Sequence, residues 1–232
     1  MFNLIKLELT KFKIKGNIVA SFICTLCILG FTWLLFFLVG AEGTATANDY
    51  KVILQIVNQF INGVFVLFAG VLISKFIIEE YKNKTIFLLF TYPVNRIQIL
   101  LAKVIIIIVF TFLSIVLSSF LIYSFYYLLQ VTSGVVIWEL TLPFVVKQLA
   151  NIILLALTNS IISLVPIYFG LRKNSVATTI ITSILIVTFL YSGSPEFNLY
   201  STIVVPIFMM IAGIFAVYFT VHNSEKEDVK MG

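Results

Sequence analysis

The chain has 232 residues, 61% of them hydrophobic and only 11% charged, with a formal net charge of +5. Soluble domains run at about 45–50% apolar and about 25% charged, so a water-facing shell cannot be clothed from this composition. The apolar residues come in long blocks with the charges confined between them, the distribution expected of a chain that lies in lipid.

Residues 1–17 form a basic segment carrying Lys6, Lys11, Lys13 and Lys15. Phe2, Ile5, Leu9 and Phe12 share one helical face, which suits a helix lying on the inner membrane surface. Leu7 to Lys15 also alternates apolar with polar, a strand pattern. The lysines and the position before the first span favour the interfacial helix.

Six apolar blocks follow, at residues 18–40, 52–74, 104–129, 148–170, 174–192 and 202–221. A hydrocarbon core about 30 Å thick needs roughly 20 helical residues at about 1.5 Å each, so each block is a candidate span, the fifth being the shortest. Backbone groups in lipid must be bonded internally, which makes helices the form for runs this long. A transmembrane barrel would alternate apolar and polar residues in segments of about ten, and these blocks do not. The first exceeds the apolar core of about 7–15 residues found in signal peptides. Its Cys24 and Cys27 have no second pair, and the one histidine is His222; they are read as small hydrophobes. Pro166 and Pro206 fall inside the fourth and sixth blocks, where each removes a backbone hydrogen bond and can kink its helix. The expected architecture is all-α and polytopic: one six-span membrane domain over 18–221, preceded by the basic segment and followed by a polar tail at 222–232.

Charge gives the orientation. With the N-terminus inside, the inner segments 1–17, 75–103, 171–173 and 222–232 hold 13 of the 15 basic residues, leaving only Lys51 and Lys147 outside. Basic residues near span ends favour the cytoplasmic side, so both termini are expected to be cytoplasmic. Tyr126, Tyr127, Tyr191 and Tyr200 at outer ends, and Tyr81, Tyr92, Tyr168 and Tyr218 at inner ends, suit rings anchored at the interface.

The chain lacks G-x-x-x-x-G-K-[ST], H-E-x-x-H and G-x-S-x-G, so neither a phosphate-cradling loop nor a hydrolase signature is present. Glu79-Glu80 is the one acidic pair that invites comparison with membrane proteases, but no histidine lies within the spans to accompany it. Carriers driven by ions keep ionisable side chains at mid-membrane depth, and these spans hold none. Energy for any transport is therefore expected from outside the chain.

The connection between spans two and three reads SKFIIEEYKNKTIFLLFTYPVNRIQILLAKV. Pro93 stops the preceding apolar run, since the residue before proline avoids the α region. Ile86 to Phe90 are too few to cross a bilayer, and Glu79, Glu80, Lys82, Lys84 and Arg96 surround them with both signs of charge, as a helix gripping another protein would. A solvated loop whose charges only enforce topology is the plainer reading. The order glutamate, basic stretch, threonine, apolar run, Pro-x-x-Arg and lysine resembles the loop of ABC type-2 permeases, at Glu80, Lys82, Thr85, Pro93, Arg96 and Lys103. Lys84 stands where that family has glycine. The resemblance implies that residues 79–98 form a coupling helix docked on a separate ATPase subunit, with Glu79 beside Glu80 in the contact. It further implies that ATP and Mg are bound by that subunit and not by this chain, that a second permease copy or a related permease completes the transporter, and that the home is a bacterial cytoplasmic membrane. Nucleic acid is not among the expected partners.

One further pattern stands out in span two. Gln55, Asn58, Gln59 and Asn62 share a helical face by their spacings of three and four. Buried amides in hydrocarbon are costly without partners, so the stripe is expected to face another helix, a second protomer or a wet pathway. Asn151, Thr158, Asn159, Thr178, Thr179 and Thr182 are weaker candidates of the same kind. The functional expectation that the resemblance implies is an exporter permease for a peptide or amphiphilic antimicrobial substrate. The alternative is a non-transporting sensor or scaffold subunit, in which the stripe serves only as packing glue.

Overall fold

The computed structural model describes residues 8–9, 14–41, 47–82, 96–133, 142–191 and 204–231. Every regular element among them is helical: α1 Ile14–Ala41, α2 Ala47–Ile73, a π-helical turn Ser74–Ile78, α3 Glu79–Lys82, α4 Arg96–Ser133, α5 Leu142–Ile162, α6 Val165–Lys173, α7 Val176–Tyr191 and α8 Val204–Met231. Five stretches, the fourth of them running from α5 into α6, are long and apolar enough to cross a membrane. The 16 residues of α7 extend about 24 Å, short of the hydrocarbon thickness by themselves.

Helix α2 is the hub. It packs against α1, α4, α5 and α7, and 67% of its most apolar stretch is buried, against 17% for α1 and 22% for α8. The outer helices present Phe22, Trp33 and Phe37 of α1 and Phe208, Phe215 and Phe219 of α8 outward. Two apolar clusters line the hub. One joins Leu72, Ile73, Ile77 and Ile78 to Leu100, Val104 and Ile107 of α4 and to Leu164 and Ile167. The other joins Val57, Ile61 and Phe65 to Ile28 of α1, Ile115, Ile122 and Tyr126 of α4, and Ala156 of α5.

Lipid tails are as apolar as leucine, so helices in a membrane associate through close packing and polar contacts. Glycine permits the closest approaches. A Cβ on Gly70 would lie 2.5 Å from Ser183 Oγ and 2.7 Å from Ser183 Cβ, which fixes how near α2 and α7 can come. A Cβ on Gly213 of α8 would collide with the carbonyl oxygen of Ile161 on α5.

The two prolines act differently. Pro166 has no N–H for the preceding turn, and the helix breaks at Ser163 and Leu164. Leu164 N–H bonds Ile161 O at 3.1 Å and Ile167 N–H bonds Leu164 O at 3.0 Å, the tighter i→i+3 pattern that satisfies the interruption. Pro206 sits in the first turn of α8, where a missing donor costs nothing, so it starts that helix and does not kink it. Helix α6 ends at Asn174, whose φ of 45° is left-handed. Ser175 N–H closes the cap on Gly170 O at 3.2 Å, and Arg172 and Lys173 in the last turn complement the negative end of the helix dipole.

Candidate functional site

The polar stripe of α2 divides between two environments. Asn58 Nδ2 donates to Tyr123 Oη of α4 at 2.6 Å, and Gln148 Nε2 of α5 donates to the same oxygen at 2.6 Å. Asn62 Nδ2 donates to Asn58 O at 2.8 Å, leaving its Oδ1 to accept from Asn159 Nδ2 of α5 at 2.9 Å. The other Asn159 amide hydrogen goes to Leu155 O at 2.8 Å, and its Oδ1 accepts from Tyr191 Oη of α7 at 2.7 Å. One connected seam of amides and phenols therefore ties four helices together. Asn159 is fully buried and Asn62 nearly so, so the bonds form where an unmatched amide would be most costly.

Gln55 and Gln59 lie on the other side of the same stripe. Gln55 is exposed and Gln59 half-buried. Gln59 lines an open groove of about 400 Å³ between α2 and α7, with Phe60, Gly63, Val64, Leu67, Val187, Thr188 and Tyr191. The walls are apolar, and the Gln59 amide and the hydroxyls of Thr188 and Tyr191 supply the polar side-chain groups.

A second polar site lies where α2 gives way to the segment leading to residue 96. Lys103 of α4 is buried. Its Nζ donates to Phe76 O at 2.9 Å and to Glu80 Oε2, and Glu8 Oε2 lies 3.7 Å away. Two carboxylates, one from the N-terminal segment and one from α3, thus meet one ammonium, which also holds a carbonyl of the π turn. Glu79 and Lys82 are exposed. Arg96 opens α4, while its side chain, like Thr85 and Pro93, lies outside the described residues.

Sequence reasoning chose Glu80 and Lys103 but did not pair them, and it missed Glu8. The available signal was a single acid among the lysines of a basic segment. Tyr123 and Gln148 were missed as seam members because each is the partner of a residue on another helix. Tyr126, expected at the interface, is instead fully buried, its ring edge-on to Phe36 at 6.4 Å; the ring's apolar area is better used inside the second cluster. The weaker hydroxyl candidates bond their own helices: Thr158 to Leu155 O, Thr179 to Ser175 O and Thr182 to Thr178 O. Asn151 is exposed.

Residues 4–190 match the family described as ABC-2 family transporter protein. A relative from Bacillus subtilis (strain 168), named "Uncharacterized protein YcbO", is 37% identical over 226 residues, covering 97% of this chain and 99% of the relative. No solved structure matches the chain.

Proposed function

The chain belongs to the ABC-2 transporter family, and from that premise we propose that it is the membrane permease subunit of an ATP-binding-cassette exporter. It works as a pair, with a second copy or a related permease, in a bacterial cytoplasmic membrane. A separate ATPase binds ATP and Mg and docks through residues 79–98. Both termini face the cytoplasm, and α7 makes the sixth crossing. The substrate is a peptide or other amphiphile of the antimicrobial kind.

The observation that carries this reading is the outward half of the stripe on α2. An amide at membrane depth costs several kcal/mol if it meets only hydrocarbon. Gln59 nevertheless opens onto a groove instead of joining the seam. A partner copy or a passing substrate supplies the hydrogen bonds that lipid cannot. The groove's apolar walls with a few convergent polar groups suit an amphiphile.

The pairing is tested by cysteine cross-linking in native membranes, with Cys24 and Cys27 first replaced by alanine. Gln59→Cys is expected to form a disulfide-linked dimer, while Phe37→Cys on the outer face of α1 is not. Cross-linking at Phe37 with none at Gln55 or Gln59 would refute the interface. The scaffold reading has one observation behind it: Asn58 and Asn62 satisfy one another and neighbouring helices within a single chain. It predicts that substrate resistance is indifferent to position 59.

A further inference from the structure

We propose that Lys103 is a positioning residue: it pins the N-terminal segment, the π turn and α3 into one body, and so holds the start of the docking segment in place. The adjacent glutamates Glu79 and Glu80 then have different tasks, Glu80 facing inward to the pin and Glu79 outward to a partner. The role in docking rests on the reading of residues 79–98 given above; the pin itself does not.

Three observations converge. Lys103 is buried, with its side chain only 8% exposed, and a buried ammonium requires paired charge and hydrogen bonds to remain in place. Its partners come from the N-terminal segment, which supplies Glu8, and from two adjoining stretches, the π turn with the carbonyl of Phe76 and α3 with Glu80. One of those stretches is the π turn Ser74–Ile78, closed by Glu79 N–H on Ser74 O. A π turn accommodates one residue more than an α turn, which rotates everything after it by about 100°. Glu80 thereby takes the angular place that Glu79 would hold in an unbroken helix. The turn thus decides which of the two neighbouring carboxylates reaches Lys103, and Lys103 in turn holds a carbonyl of that turn.

The consequence is that displacement of α3 by a cytosolic partner reaches the N-terminal segment and the inner end of α4 directly. Lys103 is then not part of the surface a partner touches, although the sequence places it in the same motif as Arg96.

Amide hydrogen exchange of the full chain in lipid nanodiscs tests this without any ATPase. Lys103→Met is expected to raise exchange over residues 74–82 about tenfold or more, as local opening becomes easier, while α7 is unchanged. Lys103→Arg, which keeps charge and donors, is expected to stay close to wild type. Glu80→Gln, which keeps a neutral acceptor, is expected to give a smaller rise confined to the same residues. Glu79→Gln is expected to change nothing. Unchanged exchange over 74–82 in Lys103→Met overturns the pin, as does an equal rise across α7 in both Lys103→Met and Glu80→Gln. If the pin holds while Glu79→Gln and Lys82→Ala leave ATP-driven export intact, the docking reading fails and the pin stands.

Discussion

Replacing Asn159 by leucine tests the seam most directly. Leucine has the same number and branching of side-chain heavy atoms as asparagine, so the change removes polar bonds without opening a cavity. Two interhelical bonds are lost, the donation to Asn62 Oδ1 at 2.9 Å and the acceptance from Tyr191 Oη at 2.7 Å. Interhelical hydrogen bonds in membrane proteins average about 0.6 kcal/mol and reach about 1.7. Two of them, with Tyr191 and Asn62 left partly unmatched, give a destabilisation of about 1–3 kcal/mol, a factor of roughly 5–150 in the folding equilibrium. The assay is reversible unfolding of the purified chain in mixed micelles by added SDS, followed by helicity, for the wild type, Asn159→Leu, Asn62→Leu and the double variant. The double variant is expected to lose less than the sum of the singles, by about 0.6–1.7 kcal/mol, because it removes a shared bond once. Strict additivity of the two singles would show that the seam contributes geometry without energy, and the argument from burial would fail.

Gly70→Ala places a Cβ against Ser183 and is expected to cost about 1–3 kcal/mol in the same assay, since the two helices must part or Ser183 must move. Adding Ser183→Gly removes the obstructing atoms and is expected to recover most of that loss; no recovery would place the strain elsewhere. Arg96→Glu is expected to leave membrane insertion intact, measured by the amount of chain in the membrane fraction, while ATP hydrolysis becomes uncoupled from substrate resistance. Normal resistance in that variant would remove Arg96 from the docking surface.

Lipid imposes a minimum length on every crossing, which is why the apolar blocks could be found without any tertiary knowledge. Helix ends could not. Hydropathy marks the depth of hydrocarbon and not the extent of hydrogen bonding, so α4 begins at Arg96, eight residues before the apolar block that announces it. Its 38 residues extend about 57 Å, well beyond the hydrocarbon. The π turn at Ser74–Ile78 has no residue signature, since SKFII would fit an ordinary α-helix equally well. Neither of the contacts that organise the polar sites was accessible to spacing rules. The Asn62–Asn159 pair is 97 residues apart in sequence and the Glu80–Lys103 pair 23 apart, and local periodicity carries no information about either. What periodicity did supply was the shared face of Gln55, Asn58, Gln59 and Asn62.

That face divides into two pairs. At about 100° per residue, Asn58 and Asn62 lie about 40° apart on one side of the stripe, and Gln55 and Gln59 lie about 40° apart on the other. Asn62 is buried and Gln55 exposed, with Asn58 and Gln59 half-buried. The shorter asparagines fall where α4 and α5 are close, within reach of Tyr123 and Asn159, and their amides are consumed inside the chain. Of the longer glutamines, Gln59 lines the groove between α2 and α7 and Gln55 is exposed. On the proposed reading, the asparagines bridge a few ångströms to a packed neighbour, and the glutamines are left for a partner copy or a substrate. A stripe meant only as internal glue would gain nothing from carrying glutamine on its open side, where leucine would meet lipid at no desolvation cost.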